Sequence, residues 1–282
     1  MNLTDIRDIK ALQARHGFHF SKSMGQNFLI ADWVPRDIAG AAGLDEHCAV
    51  LEIGPGIGCL TQQLARRAGK VAAVELDASL LPILNETLSG CPNVEIISGD
   101  VMRLDLPAIL SDKFDGFTVK ACANLPYNIT TPVLTRLLET GRFQSITVMI
   151  QREVARRICA APGGPDCGAF SLFCQYYAQC KLLFEVPPDC FFPAPKVTSA
   201  VIQMIPHAHP PVQGNRDAIF AVVKAAFAQR RKTLLNALSA AYGSRFSKEE
   251  LRKIILDCGL PETVRGERLG LEQFAALSEA LY

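Results

Sequence analysis

A doubly wound α/β sheet followed by a small all-α domain is the fold this sequence predicts, and three observations carry the prediction. The first is the apolar run Ala49-Val50-Leu51-Glu52-Ile53, which leads straight into Gly54-Pro55-Gly56-Ile57-Gly58 and then into helical periodicity over 59–67. Strand, glycine turn and helix form the first unit of such a sheet. The second is the return of short apolar runs at 70–74, 94–98 and 117–119, each followed by a polar residue suited to binding. The third is a change at 207–214, where Pro210, Pro211 and Gly214 read as a linker. Beyond it the periodicity is helical throughout, over 217–228, 232–241, 248–257 and 271–281. The expected division is therefore 1–206, a linker at 207–214, and a helical domain at 215–282.

Composition sets the bounds. The chain has 282 residues, 49% apolar and 20% charged, with a formal net charge of +1, as a globular protein does. The first 206 residues hold 18 basic and 20 acidic side chains, and the remainder hold 11 and 8, so the basic surplus is C-terminal. Ten scattered cysteines lack Cys-x-x-Cys spacing and the five histidines form no cluster, so no metal site is expected. Unpatterned cysteines in a chain this large point to a reducing, cytoplasmic setting. No apolar run approaches the length of a membrane span.

Taken in order, residues 3–15 read as an amphipathic helix. Residues 18–29 read as a loop carrying Gln26, Asn27 and Leu29. A helix follows over 32–42, with Asp32 as its candidate N-cap and Gly43 as its stop. The glycine turn at 54–58 has the pattern G-x-G-x-G. A dinucleotide fingerprint needs glycine at its sixth position, which here is Cys59, so a ligand without a pyrophosphate fits better. Glu75 ends the second strand, where an acid accepts hydrogen bonds from a cis-diol. After a helix at 78–88, Asp100 ends the third strand, placed to accept from an adenine amine.

Asn124-Leu125-Pro126-Tyr127 follows the next strand. Asn124 offers an acceptor, Pro126 a carbonyl fixed by the ring, and Tyr127 an aromatic face, a set suited to a planar, amine-bearing ring. On these four residues alone an ordinary turn is the stronger reading. The four strand ends converging on one rim favour the binding site.

Further on come a strand at 145–150 and a helix at 153–160. Arg152, Arg156 and Arg157 share a face there, to be solvated or to meet phosphates. Residues 172–177 and 181–186 look sheet-like or buried, and 197–205 reads as the last strand. Phe191-Phe192-Pro193-Ala194-Pro195-Lys196 reads either as a core-covering loop or as a stacking edge. Arg230, Arg231 and Lys232 join two helices, as a phosphate-gripping corner or as an exposed junction.

In this order the motifs KSMGQNFL, LEIGPGIGCLT, VELD, GD, NLPYNIT, QREVARRI, FFPAPKVTSAV and FAQRRKTLLNAL resemble those of the ribosomal RNA adenine dimethyltransferase family, over nearly the whole chain. The resemblance implies a Rossmann-like class I methyltransferase sheet and S-adenosylmethionine as cofactor. By the same resemblance Gln26, Asn27 and Leu29 close over the cofactor, Gly54 and Gly56 lie along it, Glu75 holds its ribose and Asp100 its adenine. Leu76 and Val101 pack around that adenine, and Asn124 borders both ligands. The implied reaction adds two methyls to the N6 amine of each of two adjacent adenosines, in a hairpin near the 3′ end of 16S rRNA within a pre-30S particle. Asn124 and the Pro126 carbonyl would hold the amine and Tyr127 would stack on the base. Arg152, Phe191, Phe192, Arg230, Arg231 and Lys232 are the further RNA-contacting candidates. A monomer is the expected state. The alternatives are a 23S rRNA methyltransferase of the resistance type and an assembly factor that acts mainly by binding.

Overall fold

The computed structural model describes residues 1–18, 26–229 and 231–282. Lys22, Met24 and Gly25 of the KSMGQNFL motif and Arg230 therefore lie outside the described residues. The chain forms two compact units. One comprises Met1–Ala155 with Cys180–Pro206, the other Arg156–Gln179 with His207–Tyr282.

The first unit opens with α1 (Ile6–His16), β1 (Phe28–Leu29) and α2 (Trp33–Ala41). Its sheet core is built from β2 (Cys48–Ile53), α3 (Cys59–Ala65), β3 (Lys70–Glu75), α4 (Leu81–Thr87), β4 (Val94–Ser98), α5 (Leu106–Lys113) and β5 (Thr118–Asn124). In chain order α6 (Thr130–Glu139), β6 (Ser145–Gln151), α7 (Arg152–Ile158), α8 (Ala169–Tyr177), β7 (Ala178–Val186), β8 (Phe191–Phe192) and β9 (Ser199–Pro206) follow, of which residues 156–179, α8 included, belong to the second unit. Seven strands make one sheet in the order β4-β3-β2-β5-β6-β9-β7, while β1 and β8 pair separately. The pairs from β4 to β6 are parallel, and β9 runs antiparallel to β6. Central β2 is buried at all six positions, as a parallel strand covered on both faces requires. Ile9, Leu12, Ile38, Val50, Leu60 and Ile83 belong to the core of this unit.

Asp5 caps α1 by accepting from the Arg7 amide at 2.8 Å, and Gly17 ends it in a left-handed conformation. Asp32 does precede α2, but its own backbone is already helical and its side chain makes no cap bond. Lys120, on β5, is nearly fully buried. Its Nζ donates to the carbonyls of Gly43 at 2.5 Å and Ala42 at 3.3 Å, fastening β5 to the end of α2.

The second unit adds α9 (Arg216–Ala228), α10 (Leu234–Tyr242), α11 (Lys248–Asp257) and α12 (Leu271–Leu281). Asn215, Thr233 and Ser247 cap the first three of these, the last through a reciprocal box with Glu250. Residues 156–179 join this unit, whereas the sequence expectation kept everything up to 206 with the sheet. Two features explain the difference. An apolar run such as 172–177 reads equally as buried strand or buried helix. Here the Ser171 hydroxyl accepts from the Gly168 amide at 2.9 Å and starts a helix. That helix then places Leu172 and Tyr176 one turn apart in a core shared with Ile219, Leu234, Leu251 and Phe274.

Replacing Lys120 with Met keeps the apolar stem and removes both charge-assisted bonds. The expected loss is about 1–3 kcal/mol of stability, read as a lower urea midpoint at unchanged slope.

Candidate active site

The C-terminal ends of β2, β3, β4 and β5 open on one cleft in the first unit. Gly54 and Gly56 line it after β2, Glu75 and Leu76 at β3, Asp100 and Val101 after β4, and Asn124, Pro126 and Tyr127 at β5. Gln26, Asn27 and Leu29 cover it from the N-terminal side, and Phe191 adds an aromatic wall. Ligands of open α/β sheets bind at this edge.

Gly56 sits at φ 60°, and a Cβ there would lie 3.1 Å from the Phe28 ring, so backbone alone faces the cleft. Gly58, at φ 90°, has a different task. A Cβ there would press on Leu88 and Thr87, so it allows α3 to start against α4.

Glu75 is organised from both sides. Its Oε1 accepts from the Asp77 amide at 2.8 Å and its Oε2 from the Gly56 amide at 3.3 Å. Each oxygen keeps a lone pair for a further donor, as a diol would supply. Burial raises its pKa above the ordinary carboxylate value, against the pull of those amides. Asp77 in turn accepts from Gln26 Nε2 at 2.9 Å, which ties the N-terminal segment to the end of β3. Asp100 Oδ1 accepts from the Met102 amide at 2.8 Å, and the exposed Arg103 lies 3.6 Å from Oδ2. Leu76 is 58% exposed, an apolar side chain presented within the cleft. A glycine edge, a diol-accepting carboxylate, an apolar side chain beside it and a second acid fit the nucleoside part of S-adenosylmethionine.

The turn after β5 corrects one expectation. The Pro126 carbonyl accepts from the Ile129 amide at 3.2 Å and from Thr130 Oγ1 at 3.3 Å, so both of its lone pairs serve the turn. The Leu125 carbonyl, by contrast, has no hydrogen-bond donor among the described residues, and neither does the Asn124 side-chain oxygen. The Tyr127 hydroxyl lies 2.7 Å from Ser199 Oγ, and burial raises its pKa.

The RNA candidates are dispersed. Phe192 does not line the cleft. It pairs with Phe28 across the β1–β8 ladder, with Lys10 Nζ 5.8 Å from its ring centroid. Arg152 forms an ion pair with Glu185 at 3.3 Å. Arg231 and Lys232 are exposed and belong to the second unit.

Glu52 is the residue that sequence reasoning passed over. It lies at the end of β2 and lines the cleft, yet it is 1% exposed. Its Oε2 has no hydrogen-bond partner among the described residues, and burial raises the pKa of this carboxyl by more than the nearby hydroxyl of buried Thr61 lowers it. Burial, helped by the charge of Glu75, pushes its pKa up to about 8. The available signal was an acid at a position where a parallel strand is otherwise apolar.

The chain is similar to known proteins over nearly its whole length. The family model described as ribosomal RNA adenine dimethylase matches residues 17–269. A ribosomal RNA small subunit methyltransferase A from Alkaliphilus metalliredigens is 47% identical over 272 residues, covering 96% of this chain and 94% of that protein. One of the same name from Clostridium perfringens is 45% identical over 285 residues, covering 100% and 98%. Among solved structures, the 23S rRNA methyltransferase ErmE superposes with a TM-score of 0.70 at 26% identity, over 90% of this chain and 99% of that one.

The folded chain keeps a proton on Glu52 up to about pH 8, whereas its ordinary value is 4.5. Between those values the folded state binds the extra proton, so this contribution to stability is full below the lower value and is lost as pH rises through the upper one. Glu52→Gln, neutral throughout, is expected to flatten the decline of urea-unfolding stability across that window. A decline as steep as the parent's would assign the proton to another group.

Proposed function

Because the chain belongs to the ribosomal RNA adenine dimethylase family, we infer that it transfers methyl groups from S-adenosylmethionine to the N6 amines of two adjacent adenosines near the 3′ end of 16S rRNA. The observation that carries the reading is the turn after β5. There a side-chain amide oxygen and a main-chain carbonyl, both without donors among the described residues, stand beside an anchored aromatic ring, in the cleft that also holds the nucleoside-binding acids.

When bound, the cofactor supplies an electrophilic methyl group on a positively charged sulfur. The protein's part is positioning. Tyr127 offers a face on which an unstacked adenine rests, worth roughly 1–3 kcal/mol per base. Asn124 Oδ1 and the Leu125 carbonyl accept the two amine hydrogens, which draws the nitrogen towards a pyramidal shape and frees its lone pair. Glu75 holds the ribose of the donor and Asp100 its adenine, while Gln26, Asn27, Leu29 and Phe28 cover the site. Correct placement of reacting groups is the main catalytic effect in such a site.

The small subunit as target is supported by the 45–47% identity to the two small-subunit enzymes, against 26% to the 23S enzyme. A role limited to binding leaves the donor-free acceptors of the turn without a purpose. The helical unit would grip RNA through exposed cations such as Arg231 and Lys232. A monomer acting on a pre-30S particle completes the reading. No helix among the described residues is long and apolar enough to cross a membrane.

Asn124→Ala is expected to lower methyl transfer to unmethylated small-subunit particles by about 100-fold or more, with calorimetric affinity for the cofactor changed far less. Full activity in that variant would remove the assignment.

A further inference from the structure

We propose that Ser199 is a positioning residue whose hold on Tyr127 carries each adenosine past the monomethyl stage to the dimethyl product. The proposal rests on the reading above, in which Tyr127 stacks on the target base.

Ser199 is the first residue of β9, fully buried, and stands opposite Gln151 of β6 in the ladder. Its Oγ lies 2.7 Å from the Tyr127 hydroxyl, close enough for a short hydrogen bond in either direction. Tyr127 opens the short 3-10 segment Tyr127–Ile129, in which no residue is fully buried. The sheet therefore holds the outer end of a ring whose inner end sits on a short turn. A ring fixed at Cα and again at its para oxygen keeps its plane, whereas a ring fixed at Cα alone can swing about its side-chain torsions.

The two methyl transfers make different demands on that plane. In each, an N–C bond forms from the amine lone pair as the donor's C–S bond breaks. The electron pair of the broken bond stays on sulfur, and the amine gives one proton to water. Before the first transfer the amine has two hydrogens, one each for Asn124 Oδ1 and the Leu125 carbonyl. Before the second it has one hydrogen and one methyl, so one acceptor loses its donor. With half of the polar hold gone, the orientation of the base depends more on the surface beneath it. A loosened Tyr127 should therefore slow the second transfer more than the first.

The test follows single turnovers of Ser199→Ala, Tyr127→Phe and the double variant on unmethylated small-subunit particles, with mono- and dimethyladenosine resolved by mass spectrometry. The second transfer is expected to fall about tenfold, the size of effect one lost hydrogen bond gives, and the first by a smaller factor. Monomethyladenosine then accumulates. Tyr127→Phe should behave as Ser199→Ala does, and the double variant should be no worse than either, since one bond is lost in all three. Equal slowing of both transfers, or additive losses, would overturn the proposal. Should Ser199→Ala fail to fold, Tyr127→Phe, which removes only an oxygen, decides alone.

A particle carrying 2-aminopurine at the target position separates this inference from its premise. Its fluorescence should be quenched by the parent and by Ser199→Ala, and restored by Tyr127→Leu. Quenching that persists in Tyr127→Leu overturns the stacking premise and the proposal with it. Quenching that behaves as expected, alongside equal slowing of both transfers, overturns the role of Ser199 alone.

Discussion

Parallel pairing of β2 with β3 on one side and β5 on the other is the constraint on which the site depends. Parallel strands end on the same side of a sheet. Once Leu51 lies opposite Ala72 and Ala121, the glycine turn, Glu75 and Asn124 must emerge along one rim. The chain then joins these ends with its own polar atoms. The Gly56 amide reaches Glu75, Glu75 accepts from the Asp77 amide, and Asp77 reaches Gln26. The acid at β3 thus has a second use besides its ligand: it helps hold the turn and the covering segment in register. Lys120 secures the same strand set from within, through carbonyls at the end of α2.

Much of this was legible in the sequence, for a physical reason. Buried parallel strands are short apolar runs, and polar residues that break such runs at their ends need a purpose. That logic found Glu75, Asp100 and Asn124, all of which line one cleft. It failed where a residue's environment is set by distant parts of the chain. Glu52 looked like a neighbour of the glycine turn, and only the fold reveals how deeply it is buried. The Pro126 carbonyl looked available until the turn closed on it through Ile129 and Thr130. Ser199 read as an ordinary strand residue because its partner is 72 positions away.

The helical part shows the same limit. Periodicity located all four C-terminal helices, since each buries one face. It gave no sign that 169–177 forms a fifth helix in their core, because an apolar segment carries no record of its neighbours.

That fifth helix has a consequence for how the protein is made. Following the chain from its start, the backbone leaves the first unit after Ala155, returns at Cys180 and leaves again after Pro206. A ribosome therefore releases α8 well before α9 to α12, the partners that cover its apolar face. It must also release residues up to 206 before β9 can close against β6. For that interval Leu172 and Tyr176 have no core to enter, and the sheet lacks its last strands. Nascent chains in this state expose the surfaces that chaperones bind. The stretch from 180 to 281 thus spans the interval during which this apolar face stays uncovered.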